Sequence, residues 1–339
     1  MRQILLALAA LLALRGAPLR ADGLAVPVAL KVNGLVQDWA SLGENGKADY
    51  VDAGDLVRHL RLRLDAGVGD GIDVVVMPEL AGGVNLLDAY AALEMDKGVD
   101  TWGIPVTATV GQFKVPFGLN RMSTPGQLAL VDYSSLAARI FNLAAAGPTA
   151  GWDDGIMLTV LPAAWARVDA AWIEGLGANQ PGSATNPGTK AIQDFSGKLE
   201  LTPWAGLDLG VSLYQGQLYT APGSVDFRTP KLFTGAHVNY TAPFGFGLQG
   251  EYMARQGDMD GYSVQATQWL GRRLQLAVGC DFSAAYSSNA LDASRILGGV
   301  NYLPGGPLRV SLQQMASASG PSQALSGGSR SILQTQVAW

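Results

Sequence analysis

Hydrophobic and polar residues alternate with a period of two along much of this chain. In one such segment, Leu60, Leu62 and Leu64 fall on one side. Arg61 and Arg63 fall on the other side. This period is that of a β-strand whose two faces meet different surroundings, whereas an amphipathic helix would space its leucines by three and four. The same alternation recurs over residues 207–214, 244–255, 273–282 and 308–313.

The alternation and its interruptions predict sixteen strands. Most of them contain about ten to thirteen residues, close to the length that crosses a bilayer as a tilted strand. They are predicted at residues 28–40, 56–66, 72–80, 84–95, 104–115, 154–161, 164–175, 191–202, 205–217, 231–241, 244–255, 261–270, 273–284, 294–303, 307–317 and 330–339.

The predicted connections tend to alternate between short turns and long loops. Glycine and proline mark the short ones, for example at 67–71, 203–204 and 304–306. Residues 81–83 and 96–103 depart from the alternation. Outer-membrane barrels have short periplasmic turns and long extracellular loops, and a soluble sandwich has no reason to keep that order. The pattern predicts an all-β fold, a 16-stranded antiparallel transmembrane β-barrel wide enough for an aqueous channel.

Composition supports an exported, lipid-facing chain. Hydrophobic residues make up 48% of the 339 residues, and charged residues make up 15%, against about 25% in an average soluble protein. Intrinsic disorder requires the opposite balance. The net charge of −5 shows no basic surface for nucleic acid, which is not an expected partner.

The N-terminus predicts export. Arg2 precedes an eleven-residue apolar run from Ile4 to Leu14, which is shorter than the roughly 20 residues of a membrane-spanning helix. We interpret residues 1–21 as a signal peptide and residues 22–339 as the barrel. A short buried helix is the alternative. At the other end of the chain, Trp339 closes an alternating strand, and bacterial barrels similarly end on an aromatic residue.

A family resemblance rests on the segment Gly111-Gln112-Phe113-Lys114-Val115-Pro116-Phe117-Gly118. It resembles a segment of the phosphate-selective porin O and P family that leads into the third loop. Residues 58–64, 84–90 and 154–158 resemble neighbouring strands, so the likeness covers about residues 28–175. The resemblance implies a homotrimeric porin of Gram-negative bacteria whose third loop, here 116–153, folds into the lumen. Leu128, Val131, Leu136, Ile140 and Leu143 have mostly helical spacing and predict a short helix in that loop; an ordinary extracellular loop is the alternative.

The predicted function is passive diffusion of small hydrophilic solutes through the cell outer membrane. Anions such as phosphate are included, but residues 116–153 are poorer in cations than the resemblance implies, so a general pore is the primary interpretation. Outer-membrane lipid surrounds the barrel. The residues predicted to line the pore or its constriction are Lys114, Arg121, Arg139, Arg61, Arg63, Arg167, Arg273 and Arg309.

Catalysis and bound metals are not expected from the sequence. The chain has two histidines, His59 and His237, and each falls on the polar side of a predicted strand. Together with Cys280 they lack the spacing of a zinc site, and no cofactor, catalytic residue or metal ligand is predicted. Two alternatives remain, a soluble or surface-attached all-β binding protein and a barrel enzyme. The predicted aromatic belt at the membrane interfaces consists of Trp102, Trp152, Trp165, Trp172, Trp204, Trp269 and Trp339.

Overall fold

The computed structural model of the chain describes residues 28–41, 56–97, 101–130, 133–140, 151–175, 194–216, 231–285, 293–319 and 329–339. They contain sixteen strands and one short α-helix, α1 (Ser135–Ile140). The strands are β1 (Val28–Ser41), β2 (Leu56–Val68), β3 (Ile72–Glu79), β4 (Asn85–Glu94), β5 (Val106–Lys114), β6 (Trp152–Ala163), β7 (Ala166–Ile173), β8 (Asp194–Trp204), β9 (Leu207–Gly216), β10 (Lys231–Thr241), β11 (Phe246–Arg255), β12 (Met259–Leu270), β13 (Leu274–Ala285), β14 (Ala293–Gly305), β15 (Leu308–Ser319) and β16 (Ser329–Ala338).

The sixteen strands form one closed antiparallel barrel. Each strand pairs with the strands before and after it in the chain, and β1 closes the sheet against β16. The bounds of every predicted strand agree with the structure to within three residues. The prediction of a 16-stranded antiparallel barrel is therefore confirmed. Among the described residues, no helix has the length and apolar character needed to cross a bilayer.

The two faces of the barrel wall differ in polarity, with the apolar side outward. Exposed valines and leucines recur on the outer face of almost every strand, among them Val74, Val110, Val211, Val278 and Leu312. The inner face carries most of the polar and charged side chains. Its buried members include Gln37, Arg61, Glu79, Asp88, Thr109, Asp169, Lys198, Ser212, His237, Glu251, Asp281, Asn301, Gln313 and Gln334.

This arrangement is the one that hydrocarbon surroundings require. A closed sheet pairs its backbone N–H and C=O groups within the protein, and the apolar outer side chains face lipid at little cost. A soluble all-β protein would pack its leucine-bearing faces together in a dry core, which is not observed. Cys280 is exposed on the outer face, as the alternation predicts.

The two ends of the barrel have different connections. One end, which we call the turn end, carries the short connections at residues 69–71, 164–165, 205–206, 242–245, 271–273 and 306–307. The exposed aromatic side chains of Trp102, Trp165, Trp204 and Phe244 lie in or beside connections at this end, as expected at a membrane interface. The predicted signal peptide of residues 1–21 lies outside the described residues and stays a prediction.

Candidate pore and constriction site

The long connection between β5 and β6, which we call the β5–β6 loop, comprises residues 115–151. Its ends are adjacent, because Val115 N donates to Gly151 O over 2.8 Å. The structure describes residues 115–130, 133–140 and 151 of this loop. The short helix predicted in this loop is present at Ser135–Ile140, and a single 3-10 turn lies at Pro125–Gln127. Val131 and Leu143 of the predicted pattern lie outside the described residues. Ser134 Oγ caps the helix by accepting the N–H of Ala137 over 3.0 Å.

The start of the loop is bonded to inner-face side chains of β8, β9 and β11. The first contacts are Ser196 Oγ to Pro116 O at 2.8 Å and Gly118 N to Ser212 Oγ at 3.1 Å. Glu251 on β11 is buried, and its carboxylate accepts the backbone N–H groups of Leu119 and Asn120. Two consecutive loop N–H groups converge on this one side chain, so Glu251 supplies more of the loop's polar contacts than any other residue of this wall.

The middle of the loop is bonded to β14, β15, β16 and β1, where side-chain N–H groups donate to loop carbonyl oxygens. The pairs are Gln37 Nε2 to Pro125 O (3.1 Å), Gln336 Nε2 to Gly126 O (3.2 Å), Arg309 Nη1 to Leu128 O (2.8 Å), Asn301 Nδ2 to Ala129 O (2.8 Å), Gln313 Nε2 to Ala129 O (3.0 Å) and Arg295 Nη2 to Tyr133 O (2.7 Å). These loop carbonyl oxygens lie outside the β-sheet, and side-chain donors supply the hydrogen bonds that a neighbouring strand would otherwise provide.

Apolar side chains of the loop pack where the inner wall offers space. Two inner-face glycines provide that space, since a Cβ at Gly261 would lie 2.7 Å from Leu136 Cδ1 and one at Gly279 would lie 2.6 Å from Leu130 Cδ1. Leu136 belongs to a buried cluster with Phe117, Tyr214 and other residues of the loop and wall. The inner face is therefore apolar mainly where the loop is packed against it.

Three cations surround one indole at the root of the loop. The ring centroid of Trp152 lies 4.6 Å from Arg121 Cζ, 4.8 Å from Lys114 Nζ and 5.9 Å from Arg61 Cζ. We call these four residues the Trp152 cluster. Trp152 is only 1% exposed, and its indole N–H donates to Asp88 Oδ1 over 2.8 Å. Cations at such distances are attracted to the negative face of the ring.

The members of the Trp152 cluster differ in how their charges are compensated. Arg61 is buried and pairs with Glu79 at 2.8 Å. Lys114 donates to the carbonyl oxygen of Ser123 over 3.0 Å. Arg121 is 3% exposed, and among the described residues its Nε and Nη2 atoms have no hydrogen-bond partner. Arg121 is thus the member of the cluster whose guanidinium has no carboxylate partner among the described residues.

The predicted arginines on β2 and β7 belong to ion pairs within the wall. Arg63 is half-buried and contacts Asp65 at 2.8 Å and Asp88 at 3.1 Å. Arg167 is exposed and contacts Asp169 at 3.0 Å. These pairs give the inner wall both signs of charge.

The other three predicted residues lie in different places. Arg309 is half-buried on β15 and binds the loop, as described above. Arg273 lies in the turn before β13, exposed at the turn end rather than within a strand. Arg139 belongs to α1, and its side chain lies outside the part of the chain that the structure describes.

Sequence reasoning missed two features of the site. Trp152 was expected in the aromatic belt, and the structure corrects this, because the indole is buried against Arg121 and Lys114. Glu251 falls on the polar side of its strand in the sequence, which signals an inner-face position. Its role as an anchor depends on a contact with Leu119, 132 residues away, that the strand pattern does not contain.

Comparisons with known proteins find the same barrel fold in solved outer-membrane proteins. OmpF of Salmonella typhi, solved with daunomycin, has a TM-score of 0.64 at 9% identity, covering 95% of this chain and 100% of that one. The outer membrane channel DcaP of Acinetobacter baumannii has a TM-score of 0.63 at 13% identity, with 95% and 100% covered. OmpT, an outer membrane protein of Vibrio cholerae, has a TM-score of 0.62 in its trimer form at 11% identity, with 92% and 99% covered.

The chain has the fold of an outer-membrane channel. These likenesses extend over nearly the whole length of both chains, but the low identities limit them to architecture. No family model and no curated protein sequence matches this chain. The resemblance to the phosphate-selective porin O and P family therefore stays a prediction from its motifs.

Proposed function

We propose that this protein is a porin of a Gram-negative outer membrane that lets small hydrophilic solutes, anions among them, diffuse passively. The observation that carries the proposal is the set of hydrogen bonds between the β5–β6 loop and inner-face side chains of seven strands, β1, β8, β9, β11, β14, β15 and β16. A loop bonded to so much of the inner perimeter lies across the lumen. We infer that it sets the size of the solutes that pass.

The balance of charge in the narrowed lumen supports passage of anions. Wall cations such as Arg63 and Arg167 are matched by carboxylates a few ångströms away. Arg121 and Lys114 lie at the root of the loop, where Arg121 has guanidinium nitrogens without hydrogen-bond partners among the described residues. Charge that is shielded from water is screened less by salt than charge on an open wall. Arg121 therefore has the greatest influence on ions at the constriction.

Orientation and assembly follow from the same proposal. The turn end faces the periplasm, because outer-membrane barrels have their short connections there. The Vibrio cholerae OmpT structure is a trimer form, and the motif resemblance also implies three copies. We propose a homotrimer embedded in outer-membrane lipid.

The test is a planar-bilayer recording of the purified protein under a KCl gradient. We expect stepwise channel insertions and a reversal potential of the sign for anion preference, retained when phosphate replaces chloride. Arg121→Gln removes the guanidinium charge at the constriction and should shift the reversal potential toward cations. Arg167→Gln removes an equal charge from β7 near the turn end. It should shift the potential less, because the wide lumen there is screened over about 8–10 Å.

Two results would contradict the proposal. A folded protein that produces no conductance steps is not a porin. A reversal potential that is the same in the unaltered protein and in Arg121→Gln would show that anions are not selected at the Trp152 cluster. Heat-modifiable gel mobility, which reports a closed barrel, confirms folding of each variant before it is recorded.

A further inference from the structure

Three potential metal ligands from three neighbouring strands converge on the inner wall, apart from the loop. They are Glu200 on β8, Asp208 on β9 and His237 on β10. His237 Nε2 lies 3.8 Å from Asp208 Oδ1 and 4.0 Å from Glu200 Oε1. All three ligand atoms lie within 4.8 Å of one another. One ion could therefore touch all three.

The backbone register leaves a gap that the imidazole fills. Gly210 on β9 pairs directly with Glu200 on one side and with His237 on the other. A Cβ at Gly210 would lie 2.1 Å from His237 Cε1 and 2.5 Å from its Nε2. Only glycine at this position lets the ring lie across β9. The ring nitrogen is thereby brought toward Asp208 and Glu200.

Two of the three ligand atoms lack ordinary partners. Among the described residues, neither His237 Nε2 nor Asp208 Oδ1 has a hydrogen bond, and both atoms are buried. The His237 side chain is only 1% exposed. Buried polar atoms are almost always hydrogen-bonded, so an unpartnered imidazole nitrogen beside an unpartnered carboxylate oxygen indicates a missing ligand.

We propose that Glu200, Asp208 and His237 form a binding site for one divalent transition-metal ion of the Zn²⁺ type. Imidazole nitrogen and carboxylate oxygen are ligands that Zn²⁺ accepts at about 2.0–2.2 Å, with a water molecule completing a tetrahedron. The ligand atoms of such a tetrahedron are about 3.3 Å apart. The observed 3.8 and 4.0 Å need to shorten by about 0.5 and 0.7 Å, and the carboxylate–carboxylate separation, which is at most 4.8 Å, by up to about 1.5 Å; rotation of the three side chains supplies these movements. A hard ion such as Mg²⁺ fits less well, because it prefers oxygen ligands in an octahedron.

A lysine competes with the ion for one of the carboxylates. Lys198 Nζ lies 2.6 Å from Glu200 Oε1, and its ammonium group supplies the positive charge that a metal ion would bring. A bound ion has to share or displace this contact. Removing the Lys198 charge should strengthen metal binding. If the contact is only a structural ion pair, the same substitution breaks it without any gain in metal affinity.

The site lies on the periplasmic side of the loop. Glu200 is four residues beyond Ser196, the loop contact on β8, in the direction of the turn end. Four residues of a strand span about 13 Å. An ion bound there would add positive charge to the lumen just past the constriction, so metal binding would also change conductance.

The test is isothermal titration of the detergent-solubilised full chain with zinc chloride at neutral pH. We expect one Zn²⁺ per chain and at least tenfold weaker binding in His237→Gln, because loss even of outer-shell support weakens metal sites by about 10–100-fold. Lys198→Gln should bind more tightly than the unaltered protein. His59→Gln is the matched control. His59 contacts Glu79 at 2.8 Å and is not one of the proposed ligands, so its substitution should leave zinc binding unchanged.

A second variant protects the test against a folding defect. Gly210→Ala keeps all three ligands but places a methyl group where the imidazole lies, so it should also weaken binding at least tenfold. Heat-modifiable mobility identifies the variants that form the barrel. The proposal is overturned if the unaltered protein binds no Zn²⁺ at 1 mM, about the weakest affinity of a specific site, or if His237→Gln and Gly210→Ala both bind it as well as the unaltered protein.

Discussion

The two walls that bond to the β5–β6 loop differ in how far their contacts are concentrated on one side chain. On the β8–β11 wall, two of the loop's N–H groups are concentrated on the single buried carboxylate of Glu251. On the β14–β1 wall, loop carbonyl oxygens receive N–H groups that come from several side chains, mostly neutral amides. These donors are Gln37, Arg295, Asn301, Arg309, Gln313 and Gln336.

The difference teaches where the loop is vulnerable. An attachment concentrated on one side chain loses two hydrogen bonds in a single substitution, and a buried N–H group left without an acceptor costs about 1–3 kcal/mol. A distributed attachment uses bonds of about 0.5–1.5 kcal/mol and tolerates loss of any one. The first wall should therefore respond steeply to a single mutation, and the second should respond only to combinations.

Removing the loop's contacts with both walls at once should have the largest effect, and that effect is on single-channel conductance. Residues 119–150 can be replaced by a short Gly-Ser linker, because Val115 N and Gly151 O are already hydrogen-bonded at 2.8 Å. A sixteen-stranded barrel without an obstructing loop is an open aqueous channel, so single-channel conductance should rise by about twofold or more. An unchanged conductance in a variant that keeps heat-modifiable mobility would show that the loop does not narrow the lumen.

Breaking only the concentrated attachment should have the next largest effect. Glu251→Gln keeps the shape of the side chain but leaves one acceptor oxygen for two buried N–H groups. The loop should open more easily by about 2 kcal/mol, which is about a thirtyfold faster amide exchange at Leu119 and Asn120. Hydrogen–deuterium exchange followed by mass spectrometry measures the exchange rates at these two amides.

A matched substitution separates this effect from general loss of charge. Glu200→Gln, measured without added metal, removes an inner-wall carboxylate that lies about 13 Å from the loop contacts of its wall. It should leave exchange at Leu119 and Asn120 unchanged. Equal acceleration in both variants would mean that barrel charge in general, rather than the Glu251 contact, holds the loop.

The barrel could be predicted from the strand pattern because lipid requires the same alternation, apolar outside and polar inside, in every strand. An outer face in hydrocarbon and an inner face in water give each strand a period of two, and that period is local in sequence. Glu251, Asp208 and His237 could each be assigned to the inner face in this way. Turn residues then set the strand boundaries to within a few positions.

The site was predicted less well because its contacts are not local. Arg309 was expected to line the pore or its constriction. The structure shows that it donates to Leu128 O, 181 residues away in sequence, a contact that the strand pattern does not contain. Trp152 is of a residue type common at membrane interfaces. Its burial depends on Arg61 of β2, Lys114 of β5 and Arg121 of the loop, which are brought together only in the folded barrel. The convergence of Glu200 and His237 depends on the pairing of both with Gly210, which requires the exact register of three strands.

The distributed attachment allows the finest test of the comparison. Ala129 O accepts from both Asn301 Nδ2 and Gln313 Nε2, at 2.8 and 3.0 Å. Asn301→Leu or Gln313→Met alone leaves the carbonyl one donor, so exchange in residues 125–130 should rise about twofold in each. The double variant leaves Ala129 O without either side-chain donor. It should raise amide exchange in residues 125–130 about tenfold, more than the product of the two single effects.

A control isolates the shared carbonyl. Asn301 Nδ2 also donates to Gln275 Oε1 over 3.0 Å, so Gln275→Met removes that contact while leaving both donors to Ala129 O. It should not change exchange in residues 125–130. If the double variant merely multiplies the two single effects, the donors act independently. The β14–β1 wall would then hold the loop by separate bonds rather than by redundancy, and the contrast with Glu251 would be one of strength alone.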